Sequence, residues 1–209
     1  MSKISIPSLP SVLLACFVTF LWSTSFVLIK LGFQSQLPAL TFAGLRYIVA
    51  WACLFPFLLV DPTSRSAVKQ LTLCEWGQLI ALGLIGYALT QGAQFISLSL
   101  LPAATVSLLL SLTPLLVAFA SARVLGEPTT LSQWGGMLLA GAGVLLYFFP
   151  FTLPNIAFAA MSIALIGVCA NAAAAVMGRQ VNRQKLPVLV VTGISMGIGA
   201  LVLLGTGIT

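Results

Sequence analysis

The sequence predicts an all-α polytopic membrane protein with about seven transmembrane helices. Of its 209 residues, 60% are hydrophobic and only 6% are charged, whereas a soluble domain carries about 25% charged residues. So few charges cannot solvate the surface of a globular domain, so the lipid bilayer is the expected solvent. The apolar residues also fall into runs of about twenty, which is the length that a helix needs to cross a bilayer.

Seven apolar segments follow one another along the chain. The first is longer than the apolar core of a signal peptide and lacks a small-residue cleavage site, so we expect it to be retained as a helix. A polar stretch, DPTSRSAVKQLTLCE, separates the second and third segments and is predicted to be a loop. The segments lie at 9–31, 37–60, 76–98, 102–124, 131–149, 155–178 and 187–207.

The cations between these segments predict the topology. Every connection that bears cations falls on one side of the membrane if the segments alternate in direction, and short cytoplasmic loops are the ones enriched in Lys and Arg. We therefore expect a cytoplasmic N-terminus and a location in the cell (cytoplasmic or inner) membrane. Because the cations form no continuous patch, nucleic acid is not an expected partner. They are Lys3, Arg65, Lys69, Arg123, Arg179, Arg183 and Lys185.

A weak internal repeat relates the first two segments to the last two. With a shift of about 149 positions, Leu37-Pro38 aligns with Leu186-Pro187, and Lys30 aligns with Arg179. An odd number of segments lies between the copies, so the second copy enters the membrane in the opposite orientation. We expect a first five-helix repeat at 1–150 and the first two helices of a second repeat at 151–209. Inverted repeats are typical of secondary transporters that work by alternating access.

Polar side chains inside the apolar segments are the candidate lining of a substrate cavity. Two interpretations stay open for them: they line a cavity, or they hold helices together by hydrogen bonds and, for the cations, reach towards the interface. The candidates are Trp22, Ser23, Lys30, Arg46, Tyr87, Gln91, Gln94, Ser107, Ser111 and Asn171. Pro114 removes a backbone donor in mid-segment and predicts a kink, for gating or for static packing.

Several kinds of chemistry are disfavoured. The chain has no histidine, which removes the most common acid–base catalyst and most zinc ligand sets. None of its three acidic residues lies deep in an apolar segment, so we predict no enzyme activity, no metal site and no cofactor. Arg123 and Glu127 are expected in a cytoplasmic turn. There, helix capping or ion pairing is a better interpretation of Glu127 than an active carboxylate. A proton-coupling carboxylate is not expected in these segments.

Three stretches resemble the EamA-like family of the drug/metabolite transporter superfamily. They are LWSTSFVLIK, LPALTFAGLRY and the run from QGAQFISLSL through SLTPLLVAFASARVLGEPTT to GVLLYF. The resemblance implies a ten-helix secondary transporter in the cytoplasmic membrane, built from two inverted five-helix repeats. Members of the family move small metabolites, amino acids, nucleotide-related compounds or drugs. Lys30, Arg46, Pro114 and Glu127 fall on positions typical of the family motif.

The chain differs from the family pattern in length, because three helices of the second repeat are not in the sequence. The chain is therefore expected to be a fragment or a truncated product. The expected partners are a small-molecule solute and the lipid bilayer, with a homo-oligomer or a complementing partner if the truncation is real. The alternative to a transporter is a non-transporting membrane subunit or an inactive truncated product.

Overall fold

The chain folds as a set of helices. The computed structural model describes residues 9–35, 37–126, 129–149 and 155–208, and these contain no β-strand. A 3₁₀ turn (Phe33–Ser35) follows the first helix, and a π-helical segment (Gly83–Leu89) joins α4 to α5. The α-helices are α1 (Leu9–Gly32), α2 (Ala39–Val60), α3 (Pro62–Gln70), α4 (Leu73–Leu82), α5 (Thr90–Leu100), α6 (Ala103–Leu110), α7 (Thr113–Val124), α8 (Leu131–Phe148), α9 (Asn155–Arg183) and α10 (Val188–Ile208).

These helices form seven apolar spans, each long enough to cross a bilayer, which confirms the predicted all-α polytopic membrane protein. Two spans are composite: α4, the π-helical segment and α5 make the third, and α6 with α7 make the fourth. Because successive spans alternate in direction, the α2–α4, α7–α8 and α9–α10 connections lie at one end of the bundle. We call this end the basic end, after Arg65, Lys69, Arg123, Arg183 and Lys185.

The predicted loop after the second span is wrong, because part of it forms α3. Asp61 caps this helix by accepting hydrogen bonds from the backbone N–H groups of Thr63 (3.4 Å) and Ser64 (2.9 Å), and Pro62 occupies its first turn. An acidic cap followed by proline is a favourable helix start even in a polar stretch. Next along the chain, Thr72 and Glu75 form a capping box that starts α4.

The most extensive packing is between α2 and α10, which run antiparallel. Gly44 lies against the backbone of Leu204 near one end of the pair, and the Trp51 indole donates to the Gly193 carbonyl (3.0 Å) nearer the other. Small residues allow this close approach. Beside the pair, α5 packs on α9, where the Ser97 hydroxyl donates to the Ala160 carbonyl (3.2 Å).

The other spans are packed much less. Half of the most apolar stretch of α10 is buried inside the protein, against 6% of the corresponding stretches of α1 and α8. The outer surfaces of α1 and α8 are apolar, as lipid contact requires. By their contacts with one another, α2, α4, α5, α9 and α10 form a tightly packed unit, although α2 also exposes one face, whereas α1 and α8 are weakly packed.

Candidate functional site

The fourth span is interrupted in its middle. Its first half, α6, ends at Leu110, and its second half, α7, begins at Thr113, with a turn at Ser111–Leu112 between them. Pro114 has no N–H with which to reach the Leu110 carbonyl. Within the turn, the Leu112 N–H donates to the Leu109 carbonyl, only three residues back (3.1 Å). The predicted kink is thus a break between two half-helices. Broken helices at membrane depth are tolerated where they line a cavity or are covered by protein.

A cavity of about 590 Å³ lies beside this break, and we call it the amide cavity. Its volume is within the range of ligand sites, about 300–1,000 Å³. It is lined by α1, α5, α6, α7 and α9 and is open on one side, and no charged residue is among its described lining residues. These are Thr19, Trp22, Ser23, Phe26, Thr90, Gln91, Gln94, Ser107, Leu110, Ser111, Thr113, Pro114, Val117 and Asn171.

Two glutamines on α5 give the cavity its polar character. Gln94 is only 9% exposed, yet its side chain makes no hydrogen bond with any described residue, and the same holds for Gln91. Each amide offers two donors and one acceptor oxygen. A buried amide without a partner costs about 1–3 kcal/mol, so these groups are suited to a solute or to water in the cavity.

The hydroxyl groups of the cavity are mostly bonded to their own helices. Ser23 donates to the Phe20 carbonyl (2.9 Å) and Ser111 donates to Leu108 (2.6 Å), at the helix break. The Asn171 amide on α9 points to the Thr113 hydroxyl at 3.5 Å, the outer limit for a hydrogen bond. The hydroxyl oxygens keep acceptor capacity, and the Asn171 amide is only loosely held.

The π-helical segment sets the rotation of α5. Thr90 directly follows this segment, and its hydroxyl donates to the Ile85 carbonyl, five residues back (2.7 Å). The extra residue in this turn changes which side chains share a face. Tyr87, predicted to face the cavity with the glutamines, instead packs on Tyr47 with ring centroids 5.7 Å apart, and against Gly199. The prediction assumed regular α-helical spacing through this segment.

Two predicted cations are also not among the lining residues. Arg46 lies on α2, which contributes nothing to the cavity wall, and its guanidinium is 5.8 Å from the Tyr47 ring and 5.9 Å from the Phe95 ring. Lys30 is half-buried in the last turn of α1. It lies one turn after Phe26, which is the last described residue of α1 in the cavity lining. Arg123 stacks over Phe119 at 4.6 Å, and Glu127 lies outside the described residues.

The structure thus brings together most of the predicted candidates. Trp22, Ser23, Gln91, Gln94, Ser107, Ser111 and Asn171 all line the amide cavity, together with Pro114. The predicted candidates did not include six other lining residues: Thr19, Phe26, Thr90, Leu110, Thr113 and Val117. Phe26 and Thr90 could have been found, because Phe26 is one turn from Trp22 and Thr90 is one turn from Gln94. Thr113 could not have been found, because its place in the lining depends on the exact position of the helix break.

Comparison with known proteins identifies the family. Residues 9–149 match the sequence profile of the EamA-like transporter family, which is more than half of the chain. The chain belongs to the EamA-like transporter family. The match includes every spanning helix from α1 to α8, and therefore all of the amide cavity except Asn171 on α9.

Three relatives of this EamA-like chain bear the name of a transporter. It is 30% identical over 128 residues to proteins of Chlamydia trachomatis serovar L2, Chlamydia trachomatis serovar D and Chlamydia muridarum, each named S-adenosylmethionine/S-adenosylhomocysteine transporter. The aligned region covers 61% of this chain but only 38–39% of each relative. No solved structure matches the chain.

Proposed function

We propose that the protein is a secondary transporter of small organic metabolites, and that the amide cavity is its substrate site. The observation that carries this proposal is the pair of Gln91 and Gln94, which present amide groups without a described protein partner to a cavity at a broken helix. Burying such groups is unfavourable unless a ligand or water satisfies them. The family of the chain favours transport over catalysis.

We further propose a solute that carries an adenine ring, such as S-adenosylmethionine or S-adenosylhomocysteine. The names of the relatives motivate this class, and the chemistry of the amide cavity suits it. A glutamine or asparagine amide can pair with both N6 and N7 of adenine. Trp22 and Phe26 on α1 offer aromatic faces on which a purine can stack.

The uncharged lining suits an exchange of these two solutes. S-adenosylmethionine carries one more positive charge than S-adenosylhomocysteine, so a fixed charge in the site would favour one of them. The face of Trp22 can attract a sulfonium or ammonium group without excluding the neutral zwitterion. Asp61 and Glu75 are both engaged in helix caps at the basic end. We therefore propose exchange or facilitated transport for this part of the protein, with no proton-carrying carboxylate within it.

Alternating access between two inverted repeats, at 1–150 and 151–209, is the mechanism that we propose. The antiparallel contact of α2 with α10, its expected repeat partner, supports this arrangement, since an inverted repeat makes equivalent helices antiparallel. The break before Pro114 is a suitable hinge, because the two half-helices of the fourth span are not joined by a continuous hydrogen-bond ladder.

We propose that the protein lies in the cytoplasmic membrane with its N-terminus inside the cell. The support is the concentration of Arg and Lys in the three connections of the basic end, which the positive-inside rule assigns to the cytoplasm. The orientation would be tested by a cysteine introduced at Lys69 in a variant whose four native cysteines are replaced by alanine: an impermeant thiol reagent should label it only from the cytoplasmic side.

The transport proposal is tested by counterflow of radiolabelled S-adenosylhomocysteine in proteoliposomes that contain the natural gene product. Gln94→Leu keeps the side-chain volume but removes the amide. We expect it to raise KM by about tenfold or more, because an amide hydrogen bond of about 1.5 kcal/mol corresponds to a tenfold change in affinity. Flux should saturate in the wild type and compete with unlabelled S-adenosylmethionine.

Gln78→Leu is the matched control. Gln78 lies on the same span but bonds Gln184 at the basic end (2.9 Å), outside the amide cavity. Its substitution should leave KM within twofold of the wild type. Equal effects of the two variants would remove the amide cavity as the substrate site. No saturable flux of any adenine-bearing solute would favour a non-transporting membrane subunit instead.

A further inference from the structure

The short helix α3 is held at one face of the membrane by both of its ends. A single non-helical residue, Asp61, separates it from α2, and Leu71 and Thr72 separate it from α4. Both neighbouring helices belong to membrane spans, and α2 ends and α4 begins at the basic end. A helix of nine residues that is tethered in this way cannot leave the membrane surface, so α3 lies at the level of the lipid headgroups.

The two sides of α3 differ in their surroundings. Ser64 is fully buried and Ala67 and Val68 are half-buried, because this side packs on α2 and α10. Arg65 and Lys69 are exposed and lie one helical turn apart on the other side; we call them the α3 cations. The remaining exposed residues of the helix are a proline and three polar residues, Pro62, Thr63, Ser66 and Gln70. The outer side of α3 therefore suits charged headgroups and not acyl chains.

The acidic residues that flank α3 in the sequence are used by helix caps. The Asp61 carboxylate accepts from the Ser64 backbone N–H (2.9 Å), and the Glu75 carboxylate accepts from the Thr72 backbone N–H (2.8 Å) and hydroxyl (2.8 Å). Neither of the α3 cations forms an ion pair or a side-chain hydrogen bond with any residue that the structure describes. Two positive charges thus lie in the headgroup layer without a counter-charge from the described part of the protein.

The surroundings of α3 add positive charge and the opposite end of the bundle does not. Lys185 is exposed in the turn before α10, the helix on which α3 packs. The connections of the opposite end, 33–38, 101–102 and 149–154, contain no charged residue in the sequence. A basic residue near the surface strengthens binding to an anionic membrane about fivefold, within a distance of about 10 Å. Charge complementarity therefore selects an anionic partner at this end.

We propose that α3 binds the headgroup of an anionic phospholipid through Arg65 and Lys69. The Arg65 guanidinium can hold two phosphate oxygens at once, and the Lys69 ammonium adds a point charge one turn away. Because α3 packs on α2 and α10, a lipid bound to it fastens the packed unit to the membrane surface. This lipid contact is independent of which solute the amide cavity takes.

The experiment measures the melting temperature of the purified gene product in phosphatidylcholine nanodiscs, with and without added phosphatidylglycerol. A ligand that binds only the folded state stabilises it, so phosphatidylglycerol should raise the melting temperature by about 4 °C. High salt should reduce this rise, because salt screens charges that are exposed to solvent. An unchanged melting temperature of the wild type on addition of phosphatidylglycerol would overturn the proposal.

Arg65→Gln/Lys69→Gln should lose most of the rise, and each single substitution should lose about half of it. Arg65→Lys should keep most of it, because the charge remains. Since both side chains are exposed, the double variant should melt within about 1 °C of the wild type in phosphatidylcholine alone. If it melts lower, the two single variants decide, each compared with its own melting temperature in phosphatidylcholine. A full rise in both of them would contradict the proposal.

Lys3→Gln/Arg123→Gln is the charge-matched control, because it removes two cations that lie outside α3, and Arg123 stacks on Phe119. It should keep the full rise. Equal losses in the two double variants would mean that the lipid responds only to net charge, and the proposal would fail. An equal rise with polyglutamate added to phosphatidylcholine nanodiscs would show that α3 binds a soluble polyanion, which would also overturn it. No solute is present in these measurements, so their outcome does not depend on transport.

Discussion

The helices α8 and α10 share a glycine-rich composition, but α10 packs tightly on α2 and α8 is packed weakly. Both α8 and α10 are rich in glycine, and both contain small residues at helical spacing. In α10 four of the five glycines meet neighbours, Gly205 being the exception, and a Cβ on Gly197 would lie 2.5 Å from the Trp51 indole nitrogen. In α8, a Cβ on Gly135, Gly136, Gly141 or Gly143 would meet nothing within 4 Å. The same sequence pattern thus marks a packed interface in one helix and an open surface in the other.

This difference places the cavities. The amide cavity is closed on one side by α1, and a second cavity of about 560 Å³, between α7 and Arg179, is bordered by the start of α8. Helices that bury little surface inside the bundle can move at low cost, because few packing contacts are lost. The packed unit is therefore the natural frame, and α1 and α8 are the helices that are best placed to move.

The largest expected effect is at the centre of the packed unit. Phe95 is fully buried, with its ring centroid 5.8 Å from that of Phe42 and 6.3 Å from that of Phe33. Truncating a buried phenylalanine costs about 3–5 kcal/mol, so Phe95→Ala should destabilise the protein by about 3 kcal/mol. Reversible unfolding in mixed micelles would measure the change.

The control for Phe95 is Phe17 on α1, whose side chain is 59% exposed to the lipid side. Phe17→Ala removes the same atoms but few protein contacts, and it should change stability by less than about 0.5 kcal/mol, as at other exposed sites. If the two alanine variants are equally destabilised, the division into a packed unit and weakly packed helices is wrong.

The second prediction concerns the glycines directly. A Cβ on Gly44 would lie 2.6 Å from the Leu204 backbone, so Gly44→Ala must push α2 and α10 apart and should cost about 2 kcal/mol. Gly141→Ala on α8 meets no neighbour and should be neutral or stabilising by up to about 1 kcal/mol, since alanine favours the helix. Melting temperatures of the two variants in the same detergent would check the opposite signs.

Gly44→Ala should also reduce the yield of folded protein in size-exclusion chromatography, whereas Gly141→Ala should not. A neutral Gly44→Ala would mean that the helices can separate without loss. A destabilising Gly141→Ala would mean that α8 packs against another protein surface in the membrane.

The spans could be predicted from the sequence because bilayer thickness imposes a length on every apolar run. The third span was predicted at 76–98 and is observed over Leu73–Leu100, and the fifth was predicted at 131–149 and ends at Phe148. What could not be predicted is local. The π-helical segment at Gly83–Leu89 shifts the helical phase by one residue, and no residue in it is specific to that conformation.

The sequence predicted those residues of the cavity lining whose polarity alone keeps them away from lipid. A glutamine within an apolar span is unfavourable against lipid, so Gln91 and Gln94 could be expected to face inwards. Arg46 and Tyr87 are equally unusual residues, but other interactions satisfy them: Arg46 lies near two aromatic rings, and Tyr87 stacks on Tyr47. Sequence identifies side chains that need a partner. It does not say whether the partner is a neighbouring ring or a cavity.

The smallest expected effect lies outside the membrane, at the cap of α3. Hydrogen bonds from the Ser64 hydroxyl and the Ser64 and Thr63 N–H groups lower the pKa of the Asp61 carboxyl below its ordinary value. A lowered pKa means that the ionised cap stabilises the fold above the ordinary pKa of aspartate, about 3.9, and that this contribution is lost as the pH falls through the lowered value. Because Asp61 is partly exposed at the surface, its contribution is screened by water and salt.

Asp61→Asn keeps a capping side chain but removes the charge, so it should lower the melting temperature at pH 7 by no more than about 2 °C. Between pH 7 and pH 5 the difference between the variant and the wild type should stay constant, because Asp61 remains ionised throughout. It should shrink only as the pH drops below about 4. A difference that already disappears near pH 6 would mean that Asp61 titrates in the physiological range, and that an acidic residue of the basic end takes part in proton coupling after all.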